Sequence, residues 1–267
     1  MRKILLGTVG LAAMLASPAM AADMRVAPPP PPVVYYDWSG AYVGFNVGGV
    51  WYNHDQHFPT PTAAPGLFLT SADFGTSGSE GILGFHAGTQ WQWGAWVLGV
   101  EAALSGCFSE CRSVSGVNTS PIFGPNQLAE HKMTNLFTVG PRLGYAWDRW
   151  MIFATGGWAS ANLKSSFCRV NSAAGCDGPG SNGNGASRNN DGWYVGGGFD
   201  YMVHKGPLVD VVLGVEYQHY DVNGHNAFCG LPGCGAATSA DYDLSSKGDL
   251  VRARLTIKTA GYGFFWR

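Results

Sequence analysis

The chain has 267 residues, with 16 Lys and Arg against 18 Asp and Glu and a charged share of 13%, about half the quarter usual for a soluble domain. That composition is wrong for a nucleic-acid binder and for a disordered chain. Glycine is in excess at 39 residues, aromatic residues are abundant, and charges are few, which is not how a helical enzyme is built. Past the N-terminus no apolar run approaches the roughly 18 residues of a transmembrane helix.

Residues 1–21 read as a secretory signal peptide: a basic start at Arg2 and Lys3, an apolar stretch from Ile4 to Leu15, and a small-residue cleavage site at Ala19-Met20-Ala21. Cleavage after Ala21 removes two bases from 16 and leaves 14 against 18 acids, on a chain exported to a compartment where thiols pair. Residues 22–37 carry five consecutive prolines, Pro28 to Pro32, and read as a stiff periplasmic spacer. Residues 38–267 remain for the folded domain.

From Gly40 onward apolar residues recur with period two, and eight strands are expected: 41–51, 82–93, 95–105, 135–147, 150–163, 192–203, 208–220 and 250–258. The gaps between them alternate long and short, with four gaps of 28 to 30 residues separated by a lone Gly94, by Asp148-Arg149 and by His204 to Pro207. An outer-membrane barrel has this rhythm, with short periplasmic turns and long outer loops. About 11 residues at 3.3 Å per residue and a tilt near 45° rise about 26 Å, the height of such a barrel's apolar band. The expected fold is therefore an all-β, eight-stranded antiparallel transmembrane barrel.

Alternation also assigns faces. Val43, Phe45, Val47 and Trp51 share the lipid side of the first strand, with Tyr42, Gly44, Asn46 and Gly48 inside. In the seventh, Val209, Val211, Leu213, Val215 and Tyr217 face out, and Asp210, Gly214, Glu216 and Gln218 face in. The fifth is apolar on both phases through Met151 to Ala154 and has no assignable face. The inward charges are Glu101, Asp200, Asp210 and Glu216 against Arg142, Arg252, Arg254 and Lys258. Four acids against four bases predict a paired network filling the lumen, because an unpaired charge out of water is too costly to keep. Adjacent-strand depth pairs Glu101 with Arg142, Glu216 with Arg252 and Asp210 with Lys258. Trp93 and Trp96, Trp147 and Trp150, and Tyr35, Tyr36 and Trp38 form an expected periplasmic aromatic girdle.

Several segments are similar to a known family: Trp38-Ser39-Gly40-Ala41-Tyr42-Val43-Gly44, then Arg142 through Trp150 running into Ala154-Thr155-Gly156-Gly157-Trp158, then Gly192-Trp193, Glu216-Tyr217 and Val251-Arg252-Ala253-Arg254-Leu255. They resemble the alphaproteobacterial small outer-membrane β-barrel proteins of the porin family, the Brucella and rhizobial surface-antigen type. The resemblance spans about Trp38 to Lys258 and implies an eight-stranded surface barrel, some of whose relatives bind haem or act as surface antigens. Such barrels usually end on an aromatic residue, whereas here Thr259 to Trp266 follow Lys258 and the last residue is Arg267.

Six cysteines fall as Cys107/Cys111, Cys168/Cys176 and Cys229/Cys234, two in each of three outer loops. One disulfide per loop is the expected pairing; zinc is the sharper alternative, disfavoured by unlike spacings on separate loops. His54, His57, His131 and His225 lie on expected outer loops as candidates for haem iron or a metal, against the plainer reading of solvated loop histidines. His219 near Asp221 lacks a nucleophile, so no catalytic set is expected. Gly178 to Gly185 lacks the Lys-Ser/Thr of a phosphate-binding loop and reads as a loop tip. The expected function is a non-enzymatic outer-membrane surface protein with a plugged interior and no required cofactor. Its expected partners are outer-membrane lipid, lipopolysaccharide, the barrel-assembly machinery and an unknown extracellular ligand, with no nucleic acid. A narrow porin and a haem or partner receptor are the alternatives.

Overall fold

The computed structural model describes residues 36–58, 72–117, 127–169, 184–228 and 240–260. The signal peptide, most of the proline-rich spacer, Tyr35 and the C-terminal aromatic residues lie outside them. Nine strands follow in order: β1 (Gly40–Phe58), β2 (Ala72–Trp93), β3 (Trp96–Cys107), β4 (Ser113–Val117), β5 (Gln127–Trp147), β6 (Trp150–Arg169), β7 (Asn184–Lys205), β8 (Val209–Phe228) and β9 (Ala240–Thr259). Every pairing is antiparallel, β1 pairs with both β2 and β9, and the β3–β5 ladder closes the ring. Closure leaves no edge, so the backbone polar groups are satisfied within the barrel wall and the wall can stand in hydrocarbon.

The short fourth strand does not add a ninth stave. β4 continues the line of β3 beside β5, pairing Ser113 with His131 through Val117 with Gln127, after the chain is pinched by the Cys107–Cys111 disulfide. Glu110 and Cys111 turn through positive φ there, and the Glu80 carboxylate accepts the Ser109 and Cys111 amides.

The outward face is as expected: Phe85, Trp93, Trp96, Leu98, Leu143, Leu213 and Leu255 are all exposed. The two phases of β6 now separate, with Met151 and Phe153 buried inside and Trp150, Ile152 and Trp158 outside. Both phases are apolar because the inner one packs in the buried apolar cluster at the periplasmic end and the outer one faces lipid.

The strands are much longer than the periodicity indicates, 19 to 22 residues in all seven full-length staves besides β3. On β6 the lower Trp150 and upper Trp158 are eight residues apart, roughly 19 Å of height at a 45° tilt. The strand then runs on to Arg169. Above Trp158 the outer face turns polar: Thr134 bonds Asn162, and Asn162 bonds Asn189 and Ser187 across β5, β6 and β7. With water on the outside, lipid no longer enforces an apolar outer phase, and the alternation that marks a strand in sequence fades. Refolded protein kept below boiling should therefore run on an SDS gel as a compact species, shifting on boiling; identical mobility before and after would contradict a closed wall.

Candidate functional site: the filled lumen

The inward side chains stack in layers. At the periplasmic end Trp38, Val97, Ala146, Met151, Met202 and Val212 form a buried apolar floor against which Tyr36 packs. Trp38 corrects its placement in the girdle: it is only 1% exposed, inside the barrel. Its amide donates to Gln92 Oε1 at 2.7 Å and its carbonyl accepts from Gln90 Nε2 at 2.6 Å, so the segment before β1 is tied back under the lumen. Trp93, Trp96, Trp147 and Trp150 remain on the outside.

Above the floor lies the charged layer. Arg254 donates to both oxygens of Glu101, at 2.8 Å to Oε1, and also to Glu216 Oε2. Glu216 accepts from Arg252 Nε at 3.1 Å and from Gln218 Nε2 at 2.7 Å. Arg142 is bound to Asp200, stands 3.7 Å from Glu101, and lies 3.8 Å above the Phe153 ring. Apart from this layer, at the periplasmic end beside the floor, Lys258 Nζ is 2.9 Å from Asp210 and donates to the Ser39 and Thr259 carbonyls. Glu101 thus joins Arg254 more tightly than its depth neighbour Arg142, because side chains reach across the lumen as well as along the wall. Tyr42, donating to Glu101 at 2.8 Å, and Gln90, accepting from Arg142, complete the layer; the charge pattern did not single them out.

Room for these long groups comes from glycines facing them in the ladder. Asp200 sits opposite Gly214, where an added Cβ would be 2.0 Å from Asp200 Oδ1; His86 sits opposite Gly44, where it would be 2.3 Å from His86 Nε2. His86 bonds Thr256 at 2.9 Å.

A second apolar layer follows, including Val50, Tyr52, Ile82, Met133, Leu136, Ala161, Leu163, Tyr220 and Leu250. Above it the lumen is polar again, and here the loop histidines need correcting. His54 and His131 are in β1 and β5 and point inward, each 1% exposed. His57 is exposed near the end of β1, and only the backbone of His225, in β8, is described. His219 bonds Asp249 at 2.9 Å rather than Asp221, and Asp249 also accepts from Tyr217. Tyr217 is exposed and His219 and Asp249 are half-buried on the outer face, with no nucleophile among their bonded partners.

The cysteines also shift. Cys107 ends β3 and the backbone of Cys168 lies in β6, so neither is in a loop; the side chain of Cys168 and all of Cys176, Cys229, Cys234 and Gly178 to Gly183 lie outside the described residues. The Cys107–Cys111 disulfide is present. Opening so short a ring, as in Cys107→Ser/Cys111→Ser, should cost about 2 kcal/mol and raise hydrogen exchange in 107–117; unchanged exchange there would show that the ring contributes nothing.

The model of the "Outer membrane protein beta-barrel domain" matches residues 9–246. The chain is 30% identical over 233 residues to the 31 kDa outer-membrane immunogenic proteins of Brucella melitensis and Brucella suis, covering 85% of this chain and 89% of each relative. Among solved structures it is similar to the outer membrane protease OmpT from Escherichia coli at 8% identity, covering 85% of this chain and 99% of that one with a TM-score of 0.45. Fold, lumen and sequence together define an outer-membrane β-barrel surface protein. The chain belongs to the outer-membrane protein β-barrel family and is related to the Brucella 31 kDa immunogenic proteins.

Proposed function

We propose that the protein is a sealed barrel with a structural and surface-presenting role in the outer membrane, rather than a solute channel. One observation carries this reading: the charged layer is closed by oppositely charged partners and sandwiched between two apolar layers across the lumen. An ion crossing would have to displace a paired guanidinium and then pass dehydrated through both apolar layers, each step costly in low dielectric. An eight-stranded barrel is just wide enough for its own side chains, which leaves no second path.

The strands that continue above the outer aromatic level present a polar wall outside the lipid, and the relatives' name, immunogenic protein, fits a surface so displayed. Lipid and lipopolysaccharide would meet the exposed aromatic and aliphatic band, and insertion would require the barrel-assembly machinery. Liposomes carrying the refolded chain should not swell in iso-osmotic small sugars; swelling at the rate of a general porin would overturn the reading.

A further inference from the structure

The polar layer near the extracellular end has no part in sealing the barrel. Its inward positions follow the ladder around the wall: Ser246 on β9, His54 on β1, Thr76 on β2, Ser113 on β4, His131 on β5 and Ser165 on β6. Thr76 and Ser113 bond each other at 2.7 Å, tying β2 to β4 where their backbones are not paired. Gln56, two residues beyond His54, reaches over to accept from Ser165 at 3.4 Å, beside His131. All of these side chains are buried.

The two imidazoles are the anomaly. Neither ring nitrogen of His131 has a hydrogen-bond partner, and the Nε2 of Gln56 has none. The ring nitrogens of His54 are likewise buried with no hydrogen-bond partner among the described residues. The rings approach to 6.2 Å between centroids. With metal–nitrogen bonds of about 2.0 Å and ring nitrogens about 1.2 Å from the centroid, two imidazoles on one ion have centroids roughly 5 Å apart at a tetrahedral angle and roughly 6.5 Å apart when opposite. The observed spacing lies inside that range.

We propose that His54 and His131, with the amide oxygen of Gln56, form a site for a single divalent transition-metal ion of the zinc, nickel and copper class, water completing its shell. Imidazole and amide oxygen donors suit borderline ions over calcium or magnesium, which prefer carboxylates. A neutral imidazole offers a ring-nitrogen lone pair, and both of these rings are buried with unpartnered nitrogens. The neighbouring carboxylate of Glu130 is engaged by Arg112 and Lys132 and is left out of the set. A lumen of eight strands is just wide enough for side chains, which rules against a macrocycle here.

The test uses the full mature chain refolded in detergent, stripped with chelator and titrated with copper(II) as the probe. One equivalent should bind with at least tenfold loss of affinity in His54→Gln and in His131→Gln, and none in His57→Gln or His219→Gln; heat-dependent gel mobility checks that each variant is folded. On the wild type, copper-catalysed oxidation mapped by mass spectrometry should mark His54 and His131, which needs no variant to fold. Binding abolished by His57→Gln but not by His131→Gln, oxidation confined to other histidines, or no stoichiometric binding would each overturn the proposal.

Discussion

Arg254→Met should destabilise the refolded barrel more than any other single change in the lumen, by about 3 to 5 kcal/mol. Arg254 is buried and is the one base touching both Glu101 and Glu216. Without it Glu101 is left with Arg142 at 3.7 Å and with the Tyr42 hydroxyl, and two carboxylates share a dry layer with too little positive charge. Adding Glu101→Gln to Arg254→Met restores three acids against three bases and should recover part of the loss. Urea unfolding in lipid vesicles, followed by tryptophan fluorescence, reads both values. A single variant as stable as wild type would mean that water reaches the layer.

Trp38→Ala should come next, at about 3 to 5 kcal/mol for a fully buried tryptophan. It removes the largest side chain of the floor but leaves its backbone bonds to Gln90 and Gln92 in place. The variant should lose stability yet remain electrically silent, because the charged and upper apolar layers still close the lumen. A steady current in Trp38→Ala would place the seal in the floor instead.

How much of this was legible in the sequence depended on what lay outside each strand. Where lipid faces the wall, the outer phase must be apolar, and residues such as Leu213 and Leu255 declare both strand and face. Above the outer aromatic level water lies outside, so Asn162 and Asn189 can occupy outer positions and the strand looks like a loop. That is why periodicity alone puts His54, His131 and Cys168 in loops. Inward charges were legible because any ion inside a narrow barrel needs a partner, and counting them gave a balanced set. Their partners were less legible: Arg254 joins Glu216 on the neighbouring strand to Glu101 across the lumen, a contact that strand depth alone does not encode. Trp38 is ambiguous for a related reason, since a tryptophan at a chain entry suits a membrane interface as well as a plug. The decision rests on Gln90 and Gln92 pulling its backbone beneath the barrel.

The most direct measurement of the seal is single-molecule current across a planar bilayer containing the refolded mature wild-type chain in molar potassium chloride. A lumen closed by the Arg142–Asp200, Arg252–Glu216 and Arg254–Glu101 contacts predicts verified insertion with no steady current above the bare bilayer. A stable ohmic conductance from the monomeric wild-type barrel would contradict it.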